Sequence, residues 1–174
     1  GDVYKRQDKS LIEKIFIPHR NELEKCIKPI HEARGVPNDY YVRPECFEME
    51  GEQLFNKGWF AVGFVKDLPQ PGSVKPVNYF KNPLFLIRST HDQKIRVFQN
   101  VCRHRGSHIC LENEGNTKAL ICPYHAWTYN LDGSLRGARL MEKGFDKNQW
   151  HLHECNVKIF EGLIFINLSE KPNS

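Results

Sequence analysis

Past residue 58 the chain breaks into short apolar blocks separated by turn residues. Residues 59–64, 75–80, 84–87 and 95–98 are rich in aliphatic and aromatic side chains, and Pro-Gly, Lys-Asn-Pro and His-Asp-Gln turns part them. Blocks of this length, bounded by turn formers, predict strands rather than helices. The pattern resumes at 119–121, 128–130 and 134–136. The last two are joined through Asp132-Gly133, a dipeptide that supplies the backbone a tight hairpin needs. Two more strands are predicted at 157–160 and 163–168, parted by Glu161-Gly162. Many short strands with frequent turns predict a mainly β fold, an antiparallel sandwich or barrel.

The first third has a different period. Leu11, Ile12, Ile15 and Phe16 recur at helical spacing up to Pro18, and a second, polar helix is predicted over 22–27, before Pro29. Residues 35–39, Gly-Val-Pro-Asn-Asp, read as a loop. Pro44 then opens a helix to about residue 56, with Phe47, Gly51, Leu54 and Phe55 as its expected face and Gly58 as its stop. The expected plan is a helical arm over 8–57, a β domain over 58–168 and the start of a linker over 169–174. Residues 1–7, Gly-Asp-Val-Tyr-Lys-Arg-Gln, resemble a translated transposon-end adapter and are expected to be a sequencing scar outside the fold.

Composition narrows the class. A chain of 174 residues with 40% hydrophobic content suits one core with a helical appendage. Its 25 Lys and Arg interleave with 21 Asp and Glu, and the net charge of +4 forms no basic stripe, which argues against a nucleic-acid partner. No apolar run approaches the ~20 residues that span a bilayer, and no signal core is evident, so the expectation is a cytoplasmic protein without a membrane partner. Six scattered cysteines without a secretory signal are expected to be reduced thiols, two of them recruited as ligands.

The chemistry concentrates between Cys102 and His125. One loop reads Cys102-Arg103-His104-Arg105-Gly106 and the other Cys122-Pro123-Tyr124-His125-Ala126-Trp127. Each follows a predicted strand and offers one thiolate and one imidazole, a donor set for a metal. In a finger-type zinc site the cysteines pair on one knuckle and the histidines on another. Here each loop carries Cys first and His second, so each can give its thiolate to one metal and its imidazole to a second. That order suits a [2Fe–2S] rhomb with both cysteines on one iron and both histidines on the other, the Rieske arrangement.

The two loops, with the continuation Thr-Tyr-Asn-Leu-Asp-Gly133, resemble the Rieske domain of the α (oxygenase) subunits of Rieske non-haem iron oxygenases, over about residues 36–168. The resemblance implies an antiparallel Rieske-type β-sandwich preceded by short helices. It implies that Cys102 and Cys122 hold the inner iron and His104 and His125 the outer one. Respiratory Rieske proteins carry a further disulfide that would need cysteines at 107 and 124. Ser107 and Tyr124 stand there, which favours a lower potential within a Rieske range of about −150 to +300 mV. The resemblance also implies a reductase or ferredoxin donor, a homotrimer of the full-length subunit, and a catalytic domain whose mononuclear Fe(II), held by two histidines and a carboxylate, would lie beyond residue 168. This chain is therefore expected to pass electrons, with aromatic-ring hydroxylation and alkylamine oxidation both open for the whole enzyme and quaternary ammonium substrates favoured.

Around the four ligands, Arg103 and Arg105 either steer an acidic donor or are solvated. Gly106 permits a tight turn, Pro123 stiffens the second loop, and Tyr124 and Trp127 shield the cluster or donate hydrogen bonds to it, with core packing a further reading for Trp127. His108 and Cys110 repeat the pair only in reverse order and are not expected to ligate. The same holds for His151 and His153. Cys26, Cys46, Cys110 and Cys155 are read as small packing residues, and His19, His31 and His91 as surface. The alternatives are a free-standing Rieske ferredoxin and a zinc-binding module.

Overall fold

The computed structural model describes residues 20–111 and 115–172. The predicted helix at 11–16, His19 and residues 1–7 lie outside them. The chain divides into two compact units in sequence between Lys57 and Gly58.

The first unit is helical. Helix α1 spans Arg20–Glu24 and continues as turns rather than helix to residue 27. Helix α2, Asp39–Val42, begins on the last residue of the segment expected to be loop. Helix α3, Pro44–Glu50, begins on the predicted proline, whose missing N–H costs nothing in the first turn. It then widens into a π-turn over Gly51–Phe55, with Asn56 N–H donating to Gly51 O at 2.9 Å. The expected face is only partly right. Cys46, Met49 and Gly51 are buried, with Tyr40 packed against the first two, while Phe47 and Leu54 are more than half exposed. An i, i+3 pair at the start of the helix, not the later aromatics, sets its inner side.

The second unit is β, as the sequence pattern predicts. Its strands are β1 (Phe60–Phe64), β2 (Ser73–Tyr79), β3 (Asn82–Arg88), β4 (Ile95–Gln99), β5 (Gly115–Asn116), β6 (Leu120–Ile121), β7 (Thr128–Tyr129), β8 (Leu135–Gly137), β9 (Asn156–Phe160) and β10 (Leu163–Asn167). They form three antiparallel sheets in the orders β1-β10-β9, β4-β3-β2-β5 and β6-β7-β8. β5 has no counterpart in the prediction, because Gly115 and Asn116 carry no apolar or β-branched side chain to mark a strand.

The core explains the register. β3 buries four consecutive residues, Leu84 to Ile87, because both of its faces are covered. Phe85 and Phe98 pair directly across β3 and β4, with ring centroids 5.6 Å apart. At the β7–β8 hairpin Gly133 takes φ +86°, and a Cβ there would stand 2.5 Å from Phe98 Cε1. Only glycine meets both demands. Asp132 fixes the same turn, its carboxylate accepting from Ser134 N–H at 2.9 Å and Ser134 Oγ at 2.6 Å. Among the described residues no helix is long and apolar enough to cross a membrane.

Candidate metal centre

Both candidate loops are built on one backbone frame. In the first, Cys102 N–H donates to Ser107 O at 2.8 Å and Cys102 O accepts from Gly106 N–H at 2.9 Å. In the second, Cys122 N–H donates to Trp127 O at 2.8 Å and Cys122 O accepts from Ala126 N–H at 3.0 Å. The fifth residue of each turn is left-handed, Gly106 at φ +75° and Ala126 at φ +56°. A side chain at that angle costs roughly 1–2 kcal/mol, so the second loop carries strain that glycine spares the first. Pro123 occupies the place of Arg103, where its fixed φ suits a turn and its missing N–H is not called upon.

On this shared frame the histidine stands third in one loop and fourth in the other, yet the two rings converge. The His104 and His125 centroids are 4.7 Å apart at 75°. Trp127, fully buried, stacks on His104 at 4.8 Å and 10°, and Tyr124, 61% exposed, leans on His125 at 3.8 Å. Cys102 and Cys122 are buried beneath, while both imidazoles are half-buried. The structure thus brings the four sequence-predicted donors to one end of the domain. Cys110 is only half-buried and His108 and His151 are exposed; Cys26 is also half-buried, whereas Cys46 and Cys155 are core. All six thiols are free.

Burial holds two of the donors, Cys102 and His104, in their neutral forms. Burial pushes the Cys102 thiol up, opposed by its contact with Tyr129 and reinforced by the neighbouring Cys122 thiol. A buried pair of thiolates needs a compensating cation. Burial, then the charges of His125 and Arg105, push His104 down, which favours the neutral, ligating imidazole. Three buried side-chain nitrogens among the described residues have no hydrogen-bond partner, Arg103 Nε, His125 Nδ1 and Trp127 Nε1. All three belong to these two loops. Orphaned buried polar atoms are rare in a finished fold, and their convergence fits a group with a metal for the imidazole and acceptor atoms for the two N–H donors. Among the described residues no three His, Cys, Asp or Glu side chains gather around a single point.

Several supporting residues escaped the sequence reading. The Tyr129 hydroxyl lies 3.3 Å from Cys102 Sγ and accepts from Arg103 N–H at 3.1 Å. Hairpin parity could have found it, since Tyr129 pairs with buried Leu120. Asn100 is buried and its side chain ties down the far end of the first loop, accepting from Ile109 and Cys110 N–H at 2.9 Å each and donating to Cys110 O at 2.8 Å. Phe145 and Trp150 pack on Trp127 with centroids 5.7 and 5.5 Å away. Arg103 is half-buried and its guanidinium contacts the exposed His153. Arg105, Gly106 and Pro123 are exposed.

Comparison with known proteins agrees with this geometry. The family model of the Rieske [2Fe-2S] domain matches residues 58–161. The chain belongs to that family. It is 35% identical over 156 residues to the glycine betaine monooxygenase oxygenase subunit of Pseudomonas aeruginosa, covering 89% of this chain and 36% of that protein. It is 32% identical over 137 residues to the biphenyl dioxygenase subunit alpha of Metapseudomonas furukawaii, covering 73% and 30%. Among solved structures, the apo form of the quaternary ammonium Rieske monooxygenase CntA superposes with a TM-score of 0.75 at 34% identity, over 82% of this chain and 42% of that one. The chain thus spans well under half the length of these relatives.

Proposed function

We propose that the thiolates of Cys102 and Cys122 and the imidazoles of His104 and His125 hold a [2Fe–2S] cluster, and that the chain is the electron-relay domain of a Rieske oxygenase α subunit. The observation that carries this reading is the convergence of three orphaned buried nitrogens on loops that already present two thiols and two imidazoles. Such a cluster, when bound, supplies a one-electron carrier. The surrounding residues supply the rest. Trp127 and the packed aromatics behind it exclude water from one side of His104. Tyr129 offers its hydroxyl to a cysteine sulfur. The half-buried imidazoles leave ring edges near the surface, the shortest path for an electron to leave.

For the whole protein we propose electron supply from a reductase or ferredoxin, a homotrimer, and delivery to a mononuclear iron site in a further domain. A quaternary ammonium substrate is favoured over an aromatic one, because the match to the glycine betaine enzyme extends over 89% of this chain and that to the biphenyl enzyme over 73%. Oxygen uptake by the full-length polypeptide with an electron donor tests this: stimulation by glycine betaine or carnitine, and not by biphenyl, is expected. Anaerobic reconstitution of this chain with iron and sulfide tests the cluster. A red-brown protein whose reduced form shows a Rieske-type electron paramagnetic resonance signal is expected; a colourless protein holding one zinc would refute it.

A further inference from the structure

Residues 150–155 touch both candidate loops. Gln99 N–H donates to His153 O and Cys155 N–H to Val97 O, at 2.9 and 2.8 Å, so the segment runs alongside β4, which feeds directly into Cys102. The bridge between Phe98 and Glu154 lies between these two bonds. At its start Trp150 packs on Trp127 of the second loop. The same segment then reaches the tip of the first loop: Arg103 Nη1 is in hydrogen-bond contact with His153 Nε2, and the guanidinium carbon stands 6.0 Å from the Trp150 ring centre.

Arg103 sits between two of the proposed ligands and is held from two sides. Its backbone N–H is bound by Tyr129, and its side chain is bound by His153 and faced by Trp150. A guanidinium only donates, so Nε2 of His153 must accept and the ring proton must sit on Nδ1. Among the described residues no carboxylate pairs with this arginine; the adjacent Glu154 turns to Arg96 Nε at 3.7 Å. Arg103 Nε is buried and unpartnered while the Nη1 contact with His153 lies at the surface, so the inner edge of the guanidinium, on the side of the loops, is less screened than a fully solvated charge.

We propose that His153 is a positioning residue, holding the Arg103 guanidinium inward beside the cluster loops so that its positive charge favours the reduced state. This rests on the ligand reading above. Without the imidazole acceptor the arginine turns to solvent and the stabilisation of added negative charge falls. Glutamine can offer Oε1 in place of Nε2; phenylalanine cannot.

The test is a redox titration of reconstituted protein, followed by its Rieske spectrum, for wild type, H153F, H153Q, R103Q and the double variant R103Q/H153F. The midpoint potential should fall in H153F and in R103Q, stay near wild type in H153Q, and fall no further in the double variant than in R103Q alone. An H153F potential equal to wild type, or an H153F shift undiminished in the R103Q background, overturns the inference while leaving the ligands in place. A wild-type protein that acquires no Rieske spectrum overturns the ligand reading and this inference with it. Should H153F not fold, ring nitrogen-15 spectra decide: a protonated Nδ1 and an Nε2 resonance that moves on R103Q support the contact, and a ring indifferent to R103Q refutes it.

Discussion

The Tyr129 hydroxyl bridges the side chain of Cys102 and the backbone of Arg103, at 3.3 and 3.1 Å. A single oxygen on β7 therefore addresses both the proposed ligand sulfur and the residue after it. Its ring is fully buried, and burial with the Cys102 contact drives the phenol well above its usual range, so the hydroxyl stays protonated and available as a donor. Tyr129→Phe should keep the fold, lose on the order of 1–2 kcal/mol for two hydrogen bonds, and lower the cluster potential by removing a donor to the sulfur. Urea unfolding and redox titration measure both; an unchanged potential would show that the hydroxyl does not serve the cluster.

Replacing either imidazole tests the ligands themselves. His104→Cys or His125→Cys should lower the potential and weaken its dependence on pH, because the imidazole whose outer nitrogen titrates is gone and ligation moves towards all-thiolate. A titration curve that overlays wild type from pH 6 to 10 counts against the assignment.

Asn100 closes the far end of the first loop with three hydrogen bonds. Asn100→Ala leaves the buried Ile109 N–H and its neighbour Cys110 N–H without their acceptor, at roughly 1–3 kcal/mol for each group that stays unsatisfied. The expected result is a loss of about 2–5 kcal/mol in unfolding free energy and faster release of iron to a chelator. Wild-type stability would mean that water replaces the side chain.

Acid sensitivity should have one traceable contributor away from the site. Two hydrogen bonds from Arg96, at 3.0 and 2.7 Å, hold the Asp92 carboxyl well below its ordinary range, with Lys94 N–H and Ser89 assisting. A depressed folded-state pKa contributes stability that is fully present above the unfolded value of about 3.9 and fades as pH falls below it. Asp92→Asn should therefore unfold at a lower temperature than wild type at pH 7, with the gap closing below about pH 4. Melting curves at pH 7 and 3 check it; a gap of the same size at both values would assign the loss to packing.

At the hairpin, Gly133→Ala should be among the most damaging small changes in the domain. It combines a left-handed backbone with a Cβ 2.5 Å from Phe98, so at least the ~1–2 kcal/mol of backbone strain is expected before any repacking of the core. Thermal unfolding measures the loss, and a stability within a few tenths of a kcal/mol of wild type would mean that Phe98 moves aside freely.

The strands of the β unit and the two Cys/His loops were legible in the chain because each depends on neighbours in sequence. Alternating or continuous apolar blocks, the Asp132-Gly133 turn and the Cys-first, His-second order are local signals, and β1 to β4 and β6 to β10 follow them within two residues. What tertiary structure alone decided is pairing between distant positions. Tyr129 meets Cys102 across 27 residues, and Arg103 meets His153 across 50. Neither sequence neighbourhood marks the contact, and His153 reads as a loop histidine until residues 150–155 are laid against β4. The same holds for helix α3, whose buried side was set by Cys46 and Met49 packing with Tyr40 rather than by its larger aromatics. Local periodicity fixes which residues can face inward together; which partner they face is settled by packing, where contacts remote in sequence compete for the same core.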